Sequence, residues 1–378
     1  MVKTIWLSSL WRLDLFLNLY KSLENLWYRV YFIWGRPRVN KLYKKYNCKY
    51  IEDEKKIEKK KIKFDLVLFW NWLDDLENIV NYCKNNGIKT LFLENWYLLN
   101  TIQIDNKWVN LKNSISQKTY EEVLNLKKKD CNLKIDQDKI VTNLKFNVSL
   151  KDYILWFFSY KTIKWVFVEL LNKLYKFCKS KTLAKNSNID LPDKYVFIPF
   201  QVHDDTQIRY YSPIIKKMTD ILDFFYTDIK KVFPSYKIVI KEHPMDLCRI
   251  KYPVKELKNK YKDIIWLKWW NIDEIFDNAD YVITINSSVW FQALSKCKKV
   301  LILWQALYSN NPFVEVVKDK DEFKQKLINL KNKQINCNEV KKYIEKISDL
   351  IFIKWWLNSF EKKTIKEIIC RIEKELKN

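Results

Sequence analysis

Three short stretches set acid, imidazole and hydroxyl groups directly behind runs of β-branched and aromatic residues. In Phe197–Ser212 (FIPFQVHDDTQIRYYS) an apolar run leads into Gln201, His203, Asp204 and Asp205. A carboxylate at the carboxyl end of a strand can face a ligand cleft and act there as base or nucleophile. In Ile238–Asp246 (IVIKEHPMD) the run ends in Lys241, Glu242 and His243, and Pro244 stops the ladder and fixes the turn. A histidine held there can donate to a phosphate or ribose oxygen. In Tyr281–Leu294 (YVITINSSVWFQAL) the run breaks at Asn286, Ser287 and Ser288 before apolar residues resume at near-helical spacing. A strand, a polar turn and a helix bring hydroxyls and free backbone N–H groups to a helix start, where an anion binds well. Each stretch alone also suits a structural role: an Asp cap beside a surface histidine, a structural histidine, and a Ser/Asn cap in an ordinary βα unit.

The elements that must hold these groups alternate. Strand-like VKTIWL and YRVYFI flank an amphipathic segment carrying Leu15, Phe16, Leu19, Leu23 and Leu26, a βαβ opening whose default is right-handed parallel pairing. Residues 35–63 read as an irregular basic excursion. Phe64–Phe69, a helix over Asp74–Asn85, a C-cap at Gly87 and a strand ending at Glu94 follow. Asn95–Ser116 reads as a polar ligand loop, and 117–185 as helical with an aromatic segment, Tyr153–Phe167, assigned to core. Asn186–Lys194 is the linker candidate. The second half restarts with strands at Tyr195–Phe200, Tyr236–Lys241, Ile264–Leu267, Tyr281–Ile285 and Lys299–Leu303. Helices are expected over Ser212–Phe233 and Ile272–Phe276, and 318–378 is mostly helical. The fold class is therefore α/β, with two Rossmann-like domains, 1–185 and 186–378, and a cleft between them.

Composition excludes several classes. The chain has 378 residues, 48% hydrophobic and 16% aromatic, enough for two substantial cores and unlike a disordered chain. No apolar run reaches the roughly 18 residues of a membrane span, and Arg12 and Asp14 stand where a signal peptide needs its apolar core, so a cytoplasmic location is expected. Eight scattered Cys and two His offer no zinc spacing and read as reduced structural thiols. The net charge of +24 is spread along the sequence with no nucleic-acid motif. It suits peripheral attraction to an anionic membrane surface.

Glycine is nearly absent. Two Gly and seventeen Trp occur, whereas average usage would give roughly 26 Gly. Several Trp stand where the backbone wants glycine: Trp11 and Trp72 in turns, Trp27 at a helix end, and Trp304 after a strand. We read many of these Trp as UGA codons that encode Gly in some bacterial lineages and Trp under another code. The alternative is a genuinely Trp-rich protein, which would show UGG at every one of these positions.

Taken together the residues resemble the capsule polysaccharide biosynthesis family, the β-Kdo transferases and related capsule proteins that build a lipid-linked Kdo linker. The resemblance is carried by QxxxD at Gln201–Asp205, KEHP at Lys241–Pro244 and NSSV at Asn286–Val289. In the first half, LENWYLLNTIQIDNKWVNLKNS is similar to the family's ENG…T…D…GVN…S block, with Trp96 and Trp108 at its glycine positions. Trp290 and Trp304 stand at two more. The likeness covers nearly the whole chain and is thinnest over 35–63 and 117–185.

The resemblance implies a GT-B glycosyltransferase that moves Kdo from CMP-Kdo to an anionic glycerolipid or a Kdo-primed acceptor, with no cofactor. It gives Asp205, with Asp204 as competitor and Gln201 in the same motif, the catalytic role. Lys241, Glu242, His243, Pro244, Asn286, Ser287 and Ser288 would hold the nucleotide, and Glu94, Asp105 and Asn110 would face the acceptor. The first domain becomes the acceptor side and the second the nucleotide-sugar side. Other readings on the same scaffold are a CMP-sialic acid or CDP-glycerol transferase and a non-catalytic export or assembly factor.

Overall fold

Runs of Val, Ile, Leu and Phe that are apolar on both faces need cover on both faces, and helices with one apolar stripe supply it. The structure is a computed structural model describing residues 2–8, 12–33, 43–51, 62–70, 76–95, 100–107, 113–127, 135–144, 190–205, 208, 212–246, 250–268, 270–304, 306, 309–354 and 361–377. It divides into one unit of Met1–Asp152 with Glu345–Asn378 and another of Tyr153–Ile344.

The first unit carries β1 (Thr4–Ser8), α1 (Leu13–Asn25), β2 (Arg29–Ile33), β3 (Tyr50–Ile51), β4 (Leu66–Trp70), α2 (Leu76–Asn85), β5 (Lys89–Asn95), β6 (Thr101–Asp105) and α3 (Tyr120–Asn125). Strands β3-β2-β1-β4-β5 run parallel, and β6 joins antiparallel to β5. Strand β6 corrects the loop expected over 95–116. Its polar pattern, TIQID, is buried throughout because partner strands cover both edges.

The second unit is all parallel. Its strands are β7 (Tyr195–Pro199), β8 (Lys237–Lys241), β9 (Ile264–Leu267), β10 (Ala279–Thr284), β11 (Lys299–Leu303) and β12 (Val314–Val317). The order is β12-β11-β10-β7-β8-β9, the Rossmann order with its reversal between β7 and β10. The covering helices are α4 (Asp220–Val232), α5 (Val254–Lys260), α6 (Ile272–Asn278), α7 (Val289–Ser295) and α8 (Phe323–Asn332), with α9 (Cys337–Ile351) after them. Helix α4 starts later than the Ser212 expected, and the Asp220 carboxylate at its start accepts the N–H groups of Lys216 and Lys217 in the preceding turn at 2.9 Å.

The C-terminus departs from the expected 186–378 domain. Strand β13 (Phe352–Lys354) pairs antiparallel with β6, and α10 (Lys362–Lys377) lays Ile365, Ile368, Ile369 and Ile372 into the core of the first sheet. The fold is thus α/β and GT-B-like in composition, two Rossmann-like units in one chain. The aromatic segment at 153–167 and the linker up to 189 lie outside the described residues. Among the described residues no helix is long and apolar enough to cross a membrane.

Three helices end alike. Trp27 N–H bonds Glu24 O and Tyr28 N–H bonds Leu23 O, with Trp27 at φ 67°. Gly87 and Ile88 repeat the pattern after α2 with φ 65°, and Cys297 and Lys298 repeat it after α7 with φ 58°. This is the Schellman ending, whose C′ residue favours glycine. Trp304 stands at φ 93° after β11. Trp290 differs: it is helical and its indole is fully buried. Cys297 and Cys337 stand close together, with Cα atoms 5.5 Å apart. The fold brings the end of α7 to the start of α9 across 40 residues.

Candidate functional site

The reversal point of a doubly wound sheet leaves a crevice at the carboxyl ends of its two central strands. Here those strands are β7 and β10, and one side chain spans them. Gln201 is 4% exposed. Its Nε2 donates to Asn286 Oδ1 at 3.2 Å and to Asp205 Oδ2 at 3.3 Å, while its Oε1 accepts the Asn286 N–H at 3.1 Å. Two expected motifs, QxxxD and NSS, are therefore one assembly. Gln201 has both amide groups committed, so it positions rather than reacts. Asp204 Oδ1 lies 4.0 Å from His203 Nδ1, and its side chain is 37% exposed.

The third motif follows the neighbouring strand β8. Burial holds the Lys241 ammonium below its ordinary pKa, and among the described residues no carboxylate pairs with it, a setting that suits an anionic ligand. Burial likewise lowers the His243 pKa, opposed by the charges of Asp246 and Asp205 and reinforced by Lys241. The ring is held neutral, with Nδ1 accepting the Met245 N–H at 3.2 Å. Nε2 then carries the proton and is a donor, the form suited to a phosphate or ribose oxygen. Pro244 begins the turn in which the Asp246 N–H bonds His243 O at 2.9 Å. Glu242 turns the other way: it is 3% exposed and its Oε1 receives the Trp266 indole N–H at 2.5 Å. It fixes the strand end.

In the polar turn before α7, Ser287 Oγ accepts the Val289 N–H at 3.4 Å, and Ser288 makes no side-chain capping bond. The Ser288 hydroxyl is thus not spent on the helix. In the first unit, Asp105 is committed to its own loop. It accepts the N–H groups of Lys107 and Ser114 at 2.8 and 3.0 Å and the Ser114 hydroxyl at 2.5 Å. Glu94 is buried on β5 opposite Gln103 of β6. Asn110 lies outside the described residues.

Sequence reasoning gave no role to Asp246. Its side chain is fully buried and receives both the N–H and Nδ1 of His203 at 2.8 Å, tying the QxxxD loop to the KEHP turn. The pairing was not visible in the sequence because the residues are 43 apart; the only signal was an acid two residues beyond the His-Pro step.

A family model described as capsule polysaccharide biosynthesis protein matches residues 117–325, more than half of the chain. The chain belongs to the capsule polysaccharide biosynthesis protein family. Its members share the region that holds all three motifs, and the match begins at 117, where the sequence likeness was thinnest. The chain is 33% identical to protein FixF of Sinorhizobium fredii over 125 residues, 33% of this chain and 30% of that protein. It is 30% identical to the capsule polysaccharide export protein KpsS of Escherichia coli over 154 residues, 39% of each. The chain thus spans about a third of the length of the curated relatives it matches. Among solved structures, Thermosulfurimonas dismutans KpsC, a β-Kdo 2,7 transferase, aligns over 100% of both chains at 16% identity and a TM-score of 0.44.

Proposed function

We propose that this capsule-family protein is a glycosyltransferase that moves Kdo from CMP-Kdo to an anionic glycerolipid or Kdo-primed acceptor. The observation that carries the reading is the Gln201 bridge, which joins a candidate reactive carboxylate to a hydroxyl-rich turn at the sheet's reversal point. Asp205, which accepts from Gln201, is the catalytic carboxylate in this reading, with Asp204 as its competitor. His243 Nε2, Lys241, Asn286 and the hydroxyls of Ser287 and Ser288 hold the CMP phosphate and ribose. Pro244 sets the turn, and Glu242 supports it from behind. The second unit takes the nucleotide sugar, and the first, through the loop that Asp105 organises, takes the acceptor. The basic surface holds the protein at the inner face of the plasma membrane.

The test is CMP release from CMP-Kdo in the presence of an anionic glycerolipid, with Asp205→Asn as control. Acceptor-dependent release that the substitution lowers by about 10²-fold or more supports the transferase and the carboxylate together. A sialic acid or glycerol phosphate donor that outcompetes CMP-Kdo would reassign the donor. The relative named as an export protein favours one other reading, a non-catalytic assembly factor, which would bind CMP or polymer and tolerate Asp205→Asn.

A further inference from the structure

Strand β6 buries a polar face. Alternation along TIQID puts Ile102 and Ile104 in the core that α10 joins, and Thr101, Gln103 and Asp105 on the opposite face, where all three are buried. Polar groups buried in this way need hydrogen-bond partners. Asp105 has them in its own loop, at Lys107 and Ser114. Gln103 does not. It is 1% exposed, and neither its Nε2 nor its Oε1 has a partner among the described residues. The register sets Gln103 directly opposite Glu94 of β5 on one side and Phe352 of β13 on the other. Directly opposed residues share a face with their Cβ atoms about 5 Å apart, so the Glu94 carboxylate and the Gln103 amide stand side by side. Phe92, two residues before Glu94 on that face, packs with Ile79, Val80 and Cys83 of α2. The pair therefore lies just past this apolar core, toward the carboxyl edge of the parallel strands, where open α/β sheets take their ligands.

We propose that Gln103, with Glu94 beside it, recognises a vicinal diol on the acceptor, so that the first unit selects its acceptor by hydroxyls rather than by charge. A side-chain amide offers an acceptor and a donor in one plane. Of two adjacent hydroxyls, one donates to Oε1 and the other accepts from Nε2. The Glu94 carboxylate has about four lone-pair sites and can take a further hydroxyl proton, while its charge disfavours a phosphate or carboxylate at the same spot. Asp105, two residues along the same face of β6, organises the loop already assigned to the acceptor, so Gln103 and that loop adjoin. The inference rests on the transferase reading above and names the group its two candidate acceptors share. The glycerol head of phosphatidylglycerol and the terminal carbons of Kdo both carry a vicinal diol. Gln103 is a specificity-determining residue here, and its unpartnered amide is a cost to the free protein that ligand binding offsets.

The experiment titrates four ligands into the full chain by calorimetry, for wild type and Gln103→Met: dihexanoyl phosphatidylglycerol, dihexanoyl phosphatidic acid, which lacks the diol, free Kdo, and CMP. Denaturant unfolding of both proteins accompanies it. Gln103→Met is expected to bind phosphatidylglycerol, Kdo or both about tenfold more weakly, the loss of two hydrogen bonds. Affinities for phosphatidic acid and CMP should stay within about twofold. Whichever diol loses affinity identifies the acceptor. The denaturation midpoint of Gln103→Met should be unchanged or raised, because methionine matches glutamine in length and replaces an amide that has no partner. A residue that served only the fold would lower it. Diol affinities within twofold of wild type overturn the proposal, as do an equal loss for phosphatidic acid, a wild type that binds neither diol, or a lowered midpoint. CMP release from CMP-Kdo separates this inference from the reading beneath it. Acceptor-dependent release with diol affinity unmoved by Gln103→Met leaves the transferase standing without this site. Diol affinity lost in the variant, with no release by wild type on any acceptor, overturns the transferase and leaves a diol site.

Discussion

Trp27 and Gly87 occupy the same place in two helix endings, C′ of a Schellman motif, at φ 67° and 65°. At Gly87 a Cβ would meet nothing within 4 Å, so any cost of a side chain there is backbone strain alone. At Trp27 the indole is 80% exposed and gains little by packing. Trp27→Gly should therefore stabilise the protein, and Gly87→Ala destabilise it, each by about 1 kcal/mol. Denaturant midpoints for the two variants are expected to move in opposite directions. Trp304→Gly should gain at least as much, because φ 93° lies beyond the left-handed helical well. The same logic sorts the codons. Trp27 and Trp304 should be UGA, whereas Trp266, buried and bonded to Glu242, should be UGG. His243 offers a pH test at the same scale. Its folded-state pKa lies below the ordinary 6.5 because burial disfavours the charge. The stability gained by keeping it neutral is complete above 6.5 and lost as pH falls through the folded value. Wild type should lose stability relative to His243→Gln as the pH drops from 7.5 toward 5; a gap that does not change with pH would show the ring is not held neutral.

At the scale of elements, the site is a product of strand order. Gln201 follows β7 and Asn286 follows β10, strands that are neighbours only because the sheet reverses between them. Replacing Gln201 by Leu removes the bonds it makes to the Asn286 N–H and side-chain oxygen in a buried setting. The expected cost is about 1–3 kcal/mol of stability, together with weaker CMP binding by calorimetry. Unchanged CMP affinity would separate the bridge from the ligand site. Helix α10 makes the complementary point. Its stripe of Ile365, Ile368, Ile369 and Ile372 is legible as a helix face, yet nothing in it says which sheet it covers.

At the scale of the whole molecule, the net charge of +24 is what the proposed attraction to an anionic membrane surface rests on. Binding to anionic vesicles should exceed binding to neutral ones and fall several-fold as salt rises from about 50 to 300 mM, since exposed charges are screened within a Debye length. Salt-insensitive binding would instead indicate an apolar anchor.

Local chemistry settled much of this protein in advance. The alternation of apolar runs and amphipathic stripes, the stop at Pro244, the polar turn at Asn286–Ser288 and the positive-φ positions at Trp27, Gly87 and Trp304 all depend on near neighbours, so the sequence alone determined them. What it left open depends on contacts between residues far apart. Strand β6 reads as a loop until β5 and β13 bury its polar residues. The last 34 residues of the chain return to the first sheet because that is where an apolar face awaits them. The hold of Asp246 on His203 and the bridge from Gln201 to Asn286 exist only once parallel strands bring their carboxyl ends to one edge, and no periodicity along a single chain encodes that adjacency.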